Sequence, residues 1–169
     1  ARFRPYHLIG AIGGFLTALT AIISLAVSTS YYISAEWVII VNMLLIGSNG
    51  LIATYFFGAF SASRDSLIKV GSLIAGIGLG FNVLISILQM AGVYVFVLAL
   101  LGALVMMAGV VIACIKFIML FQRDAFVVVF CVFIFLGLLL SLFWTWASLI
   151  SGAGLGGLLI YFYVHNITY

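Results

Sequence analysis

From Ser66 to Phe121 the chain runs for 56 residues with Gln89-Met-Ala-Gly92 as its one clear interruption. At 1.5 Å per helical residue such a run would extend about 80 Å, far beyond the roughly 30 Å hydrocarbon core of a bilayer. One span cannot accommodate it, so the tetrapeptide predicts a tight turn between two helices. Similar apolar runs fill the rest of the sequence and predict six spans, at 8–27, 37–60, 67–90, 94–116, 126–146 and 149–164. The sixth is short and rich in glycine, which leaves five spans plus a re-entrant or interfacial segment as the alternative.

Composition agrees with this layout. Hydrophobic residues make up 67% of the 169 positions and charged residues 5%, with a mean hydropathy of +1.47. A soluble domain is about half apolar and a quarter charged, so this chain cannot cover itself with polar surface. The expected fold class is an all-α integral membrane protein, a compact bundle of six transmembrane helices forming a single polytopic domain over 1–169. Its first segment begins with Arg2 and Arg4 but carries no distinct small-residue cleavage pattern, so it is expected to be a span and not a cleaved signal.

Charge placement gives the expected orientation. In the six-span layout Arg2, Arg4, Arg64, Lys69, Lys116 and Arg123 fall on one side, while the opposite loops at 28–36, 89–93 and 147–152 hold only Glu36. Basic residues favour the cytoplasmic face, which predicts both termini in the cytoplasm or its topological equivalent, in a membrane of the cell or of an organelle. The net charge of +3 then serves orientation and contact with lipid headgroups, and no basic run points to nucleic acid. The acceptor pattern Asn166-Ile167-Thr168 falls on the inner side, where glycosylation is not expected. Arg4, Arg64 and Arg123 recur at intervals of 60 and 59 residues, a spacing that six similar spans with basic inner loops produce without internal repetition.

Small and polar residues mark the faces expected to meet. Lipid removes the hydrophobic drive between helices, so small side chains and interhelical hydrogen bonds must hold them together. The first span carries Gly10, Gly13, Thr17, Thr20 and Ser24 on one face. The third carries Gly71, Ala75, Gly78, Asn82 and Gln89, and the fourth Ala99, Gly102, Met106, Gly109, Ala113 and Lys116. Gly10-xxx-Gly14, Gly152-xxx-Gly156 and Ala153-xxx-Gly157 are close-approach spacings. The fifth span is bulky and aromatic until Gly137, Ser141, Trp144 and Ser148, so its inner half is expected to face lipid or another subunit. Trp144, Trp146, Trp37 and Tyr31-Tyr32 form an expected interfacial belt at the outer side.

Two asparagines interrupt the second span. Asn42 and Asn49 are seven residues apart and share a face, with expected depths of about 27 and 17 Å from the inner end, against about 24 Å for Asn82 on the third span. That predicts an Asn42–Asn82 carboxamide pair, with Asn49 level with Gly76 and Gly78. The stretch Gly47-Ser-Asn-Gly50 is also where the second helix is expected to unwind if it lines a transport site.

The functional expectations follow from these placements. The leading one is a non-catalytic structural or accessory subunit of a larger membrane assembly, with membrane lipids and either other subunits or further copies of itself as partners. The alternative is a transporter, channel or membrane-embedded substrate-binding component for a small neutral solute, with Asn42, Ser48, Asn49, Asn82, Thr17, Thr20 and Ser24 lining a polar cavity. No carboxylate lies mid-span to couple an ion, since Glu36, Asp65 and Asp124 are all at span ends. In size and span count the chain is similar to the membrane-embedded substrate-binding components of energy-coupling-factor vitamin transporters, a similarity that no motif accompanies.

Catalysis has little support. His7 and His165 are the only histidines, at equal expected depth near the inner face, too few for a zinc site and too shallow for mid-membrane haem. No metal or other cofactor is expected. Cys114 and Cys131 lack CxxC spacing and are expected to be small buried hydrophobes on neighbouring helices. Arg64-Asp65 and Arg123-Asp124 are expected to cap the third and fifth helices and to be candidate docking points for a cytoplasmic partner.

Overall fold

The computed structural model describes residues 3–28 and 35–169, which form six α-helices: α1 (Arg4–Ser28), α2 (Ala35–Ala62), α3 (Ser66–Met90), α4 (Phe96–Leu120), α5 (Ala125–Ser141) and α6 (Ser148–Val164). Four of them, α1 to α4, are long and apolar enough to cross a membrane, while α5 and α6 are apolar but only 17 residues each. Arg2 and the Tyr31-Tyr32 part of the expected belt lie outside the described residues.

Each helix packs antiparallel on the next, and α6 returns against α1, so the bundle closes into a ring whose thinnest seam is α4–α5. Arg4, Arg64, Lys69, Lys116 and Arg123 all sit at one end of this ring, the basic end, and Glu36 opens α2 at the other. Capping explains where two helices begin. The Asp65 carboxylate accepts from the Leu67 and Ile68 N–H groups at 3.0 and 3.1 Å, and Asp124 accepts from the Phe126 N–H at 3.1 Å. The expected turn at 89–92 is present: Gly92 takes φ +85°, a left-handed conformation that glycine adopts without a Cβ clash, and the Val93 N–H closes back onto the Leu88 carbonyl.

Glycines set the helix spacing along the predicted stripes. A Cβ on Gly109 would come 2.1 Å from the Ala75 nitrogen, and one on Gly78 would come 2.3 Å from the Met106 nitrogen, so α3 and α4 touch backbone to backbone. Gly14 meets Gly152 and Gly156 across α1–α6, and Gly137 meets Ser151 across α5–α6. At such distances the two chains gain dispersion contacts that any side chain would prevent.

Four expectations are corrected. First, α5 ends at Ser141 and not at 146; the chain then turns through the 3₁₀ segment Thr145–Ala147, whose wholly buried Ala147 sits against α1. Second, the sixth segment is one continuous helix of 17 residues that lies along α5, from Ser151 beside Gly137 to the Tyr161 hydroxyl, which donates to Asp124. Third, the inner half of α5 is not given over to lipid or a partner: Val127, Cys131, Ile134 and Leu138, spaced by helical turns, are buried in the core while its phenylalanines face outward or sideways. Fourth, α2 does not unwind at Gly47–Gly50 but stays helical throughout.

Candidate functional site

All six helices contribute to one central cavity of about 560 Å³. Its polar wall consists of Thr17, Thr20 and Ser24 from α1, Asn49 from α2, and Ser141, Ser148 and Ser151 from α5 and α6. The stripe on α1 explains this placement: its glycines pack against α2 and α6, and its next two turns, where the side chains are short but not absent, leave space in front of them.

Four of the six wall hydroxyls are already committed as donors. Thr17 donates to the Gly13 carbonyl at 3.0 Å, Thr20 to Leu16 at 2.8 Å, Ser141 to Leu138 at 2.7 Å and Ser151 to Ser148 at 3.2 Å. Such bonds one turn back along a helix satisfy the hydroxyl hydrogen and leave oxygen lone pairs as acceptors. Asn49 differs, since among the described residues nothing hydrogen-bonds its carboxamide. Among the described residues, none that lines the wall is ionisable.

The other candidates lie elsewhere. Asn42 does not pair with Asn82; its amide donates to the Val38 carbonyl of its own helix at 3.0 Å. The cause is register. Phe57 lies over Gly76, and Met43 and Ile46 share a groove with Ile87 and Met90, which puts Asn42 level with Ala91 and Asn82 level with Leu51. Depth counting set residues 60 and 66 level, and the helices are displaced by about two turns from that. The Asn82 carbonyl oxygen instead lies over Gly102 of α4, where a Cβ would approach it at 3.0 Å. Asn49 likewise does not rest on the glycines of α3, because Gly76 is covered by Phe57 and Gly78 by Met106. Ser48 is fully buried and donates to the Leu45 carbonyl at 3.1 Å, away from the cavity.

An aromatic cluster closes the basic end. Phe56 at the cavity floor contacts Tyr55, whose hydroxyl bonds that of Tyr169; the same Tyr169 hydroxyl lies 3.2 Å from His7 Nε2. Phe3, Phe117 and Phe162 pack around the Tyr169 ring, and the Arg64 N–H holds its carbonyl at 3.2 Å. Burial holds the Tyr169 phenol well above its ordinary value, and the neighbouring Tyr55 acts in the same direction. His165 packs against Tyr161 at the surface with the rings tilted, 4.3 Å between ring centres, while His7 is buried among Phe3, Tyr55, Phe162 and Tyr169, so the two histidines do not form one site. Among the described residues no group of three or more His, Cys, Asp or Glu side chains is placed to hold a metal ion.

Of the candidate docking residues, both carboxylates are engaged. Asp65 caps α3 and lies 3.5 Å from Lys116; Asp124 caps α5 and accepts from Tyr161. Desolvation works to raise the Asp65 carboxyl, but the Ile68 N–H, the Lys116 ammonium and the Leu67 N–H outweigh it and hold its pKa below the ordinary 3.8. Arg64 and Arg123 are exposed, and among the described residues neither pairs with a carboxylate.

The sequence alone had pointed to Thr17, Thr20, Ser24 and Asn49, which the structure brings together, and had overlooked Ser151. Ser141 and Ser148 had been noted only as part of a stripe on one long fifth helix. They face the cavity from two helices because the chain reverses between them. Comparison with known proteins finds no family model, curated protein or solved structure that matches this chain.

Proposed function

We propose that this chain is a multi-pass membrane protein that binds a small neutral solute in its central cavity, as a carrier or as the membrane-embedded binding component of one. The observation that carries this is the Asn49 carboxamide, unpartnered among the described residues and facing a cavity of about 560 Å³. Asn49 is half-buried and its carboxamide is accessible from the cavity, so it hydrogen-bonds whatever occupies that space. A role confined to packing gives no reason to keep that group where no helix satisfies it, whereas a bound solute supplies the partner. Orientation with the basic end toward the cytoplasm is part of the proposal and rests on the one-sided distribution of Arg and Lys.

The test is native mass spectrometry after gentle extraction with lipids and small molecules retained. A monomer or homo-oligomer carrying one small molecule per chain is the expected result. Co-purifying subunits on a chain with an empty cavity would favour the structural or accessory role instead.

A further inference from the structure

The cavity is graded in polarity along the bundle axis. Counted at 1.5 Å per residue from the basic ends of α1, α2, α5 and α6, which the glycine contacts hold level, Phe56 lies at about 9 Å, and Ile134, Leu155 and Ile52 at about 14 Å, all apolar. Asn49, Thr17 and Ser151 stand together at about 20 Å, and Thr20, Ser141 and Ser148 at about 24 Å, so the polar groups are confined to the upper part, where they share the wall with apolar Ala21 and Leu45. The α1, α2 and α6 contributions to the first polar level come from three different helices, yet they agree to within a residue.

We infer that the cavity takes a neutral amphiphile, its apolar body on the Phe56 floor and a head rich in hydrogen-bond donors at the level of Asn49. Charge is excluded on both sides by the wall: no carboxylate or cation lines it to compensate an ion in a low dielectric. The donor requirement comes from the hydroxyls. Thr17, Thr20, Ser141 and Ser151 have spent their hydrogens on backbone carbonyls and offer only lone pairs, so a head bearing hydroxyl or amide hydrogens is matched and one bearing only ether or ester oxygens is not. Asn49 and, one level higher, the Ser24 hydroxyl supply the few free donors for an acceptor on that head. The inference rests on the cavity being the binding site, as proposed above.

The probes are 1-O-octylglycerol, its dimethyl ether, which keeps the oxygens but has no donor, and glycerol, which lacks the apolar body. Each is titrated into the full chain in phosphatidylcholine nanodiscs, and one-to-one adducts are scored by native mass spectrometry. Octylglycerol is expected to be retained, its dimethyl ether to bind at least about tenfold more weakly for the loss of matched hydrogen bonds, and glycerol not to be retained. Asn49→Leu is expected to weaken octylglycerol by about tenfold, and Val110→Phe, which fills the apolar floor, to abolish it. Asn49→Ala serves as the smaller replacement, and an unchanged unfolding midpoint certifies each variant as folded. Equal binding of octylglycerol and the dimethyl ether, both lost in Val110→Phe, would overturn the donor-rich head and leave the cavity as the binding site. Retention of neither probe, or of phosphatidylcholine in their place, would overturn the amphiphile itself, and the extraction experiment would then decide whether the cavity binds any solute.

Discussion

The Tyr169 hydroxyl serves two buried groups at once, the His7 ring nitrogen and the Tyr55 hydroxyl. Tyr169→Phe keeps the ring packed among Phe3, Phe117 and Phe162 but strands both partners, and His7 Nδ1 already has no partner among the described residues. The expected loss is about 1–3 kcal/mol, seen as an earlier midpoint in detergent unfolding. Asn42 gives the contrasting case, because its one hydrogen bond is to the carbonyl a turn back on its own exposed helix segment. Asn42→Leu should therefore leave the same midpoint within about 0.5 kcal/mol, and a larger drop would mean that Asn42 has an interhelical partner after all. These two residues show what a residue type can and cannot disclose. An asparagine in an apolar run declares that something must satisfy it, but only the register of α2 on α3 decides whether that is a neighbour, its own backbone or a ligand.

At the scale of the helix, glycine positions divide into those that meet a backbone and those that meet nothing. Gly109→Ala would drive a Cβ to 2.1 Å from the Ala75 nitrogen, so α3 and α4 must separate, at about 1–3 kcal/mol. Gly80 has no atom within 4 Å of a built Cβ, and Gly80→Ala should stabilise α3 by up to about 1 kcal/mol through helix propensity. Unfolding midpoints of the two variants, moving in opposite directions, check both. The start of α3 carries a pH signature. Because the folded pKa of Asp65 lies below its ordinary 3.8, its cap and ion pair contribute fully above that value and fade as pH falls through the lowered one. Asp65→Asn retains an acceptor for the helix N–H groups, so it should flatten part of the acid-side loss of stability, whereas Asp65→Ala should cost about 1 kcal/mol at neutral pH. Thermal unfolding of the three forms between neutral pH and about pH 3 separates these outcomes.

For the whole molecule, the closed ring makes a prediction about access. Cys114 and Cys131 are buried on α4 and α5, 3% and 0% exposed, although the α4–α5 seam is the thinnest in the ring. A maleimide should therefore add to neither thiol in the folded protein and to both after denaturation, as counted by intact mass. Labelling of both in the folded state would mean that α5 swings away from α4. The same ring explains why the cavity exists. Glycine contacts draw the α1–α6, α3–α4 and α5–α6 seams together, but Thr17, Thr20, Ser141 and Ser151 on the α1, α5 and α6 walls are too short to reach across the centre.

Much of the helical layout was legible in order, because it follows from local chemistry. Apolar runs of near-span length, a glycine where the chain must reverse with positive φ, and aspartates one residue before Ser66 and Ala125 all act within a few residues. The stripes on α1, α3 and α4 were legible for the same reason, since side chains at helical spacing share a face in any environment. What only the tertiary structure decided was height and distance between helices. A shift of about two turns separated Asn42 from Asn82, the reversal after Ser141 turned one expected stripe into two walls of a cavity, and His7 met Tyr169 across 162 positions of sequence. Those outcomes depend on how six helices settle against one another at once, through contacts between backbones that no single segment of the sequence contains.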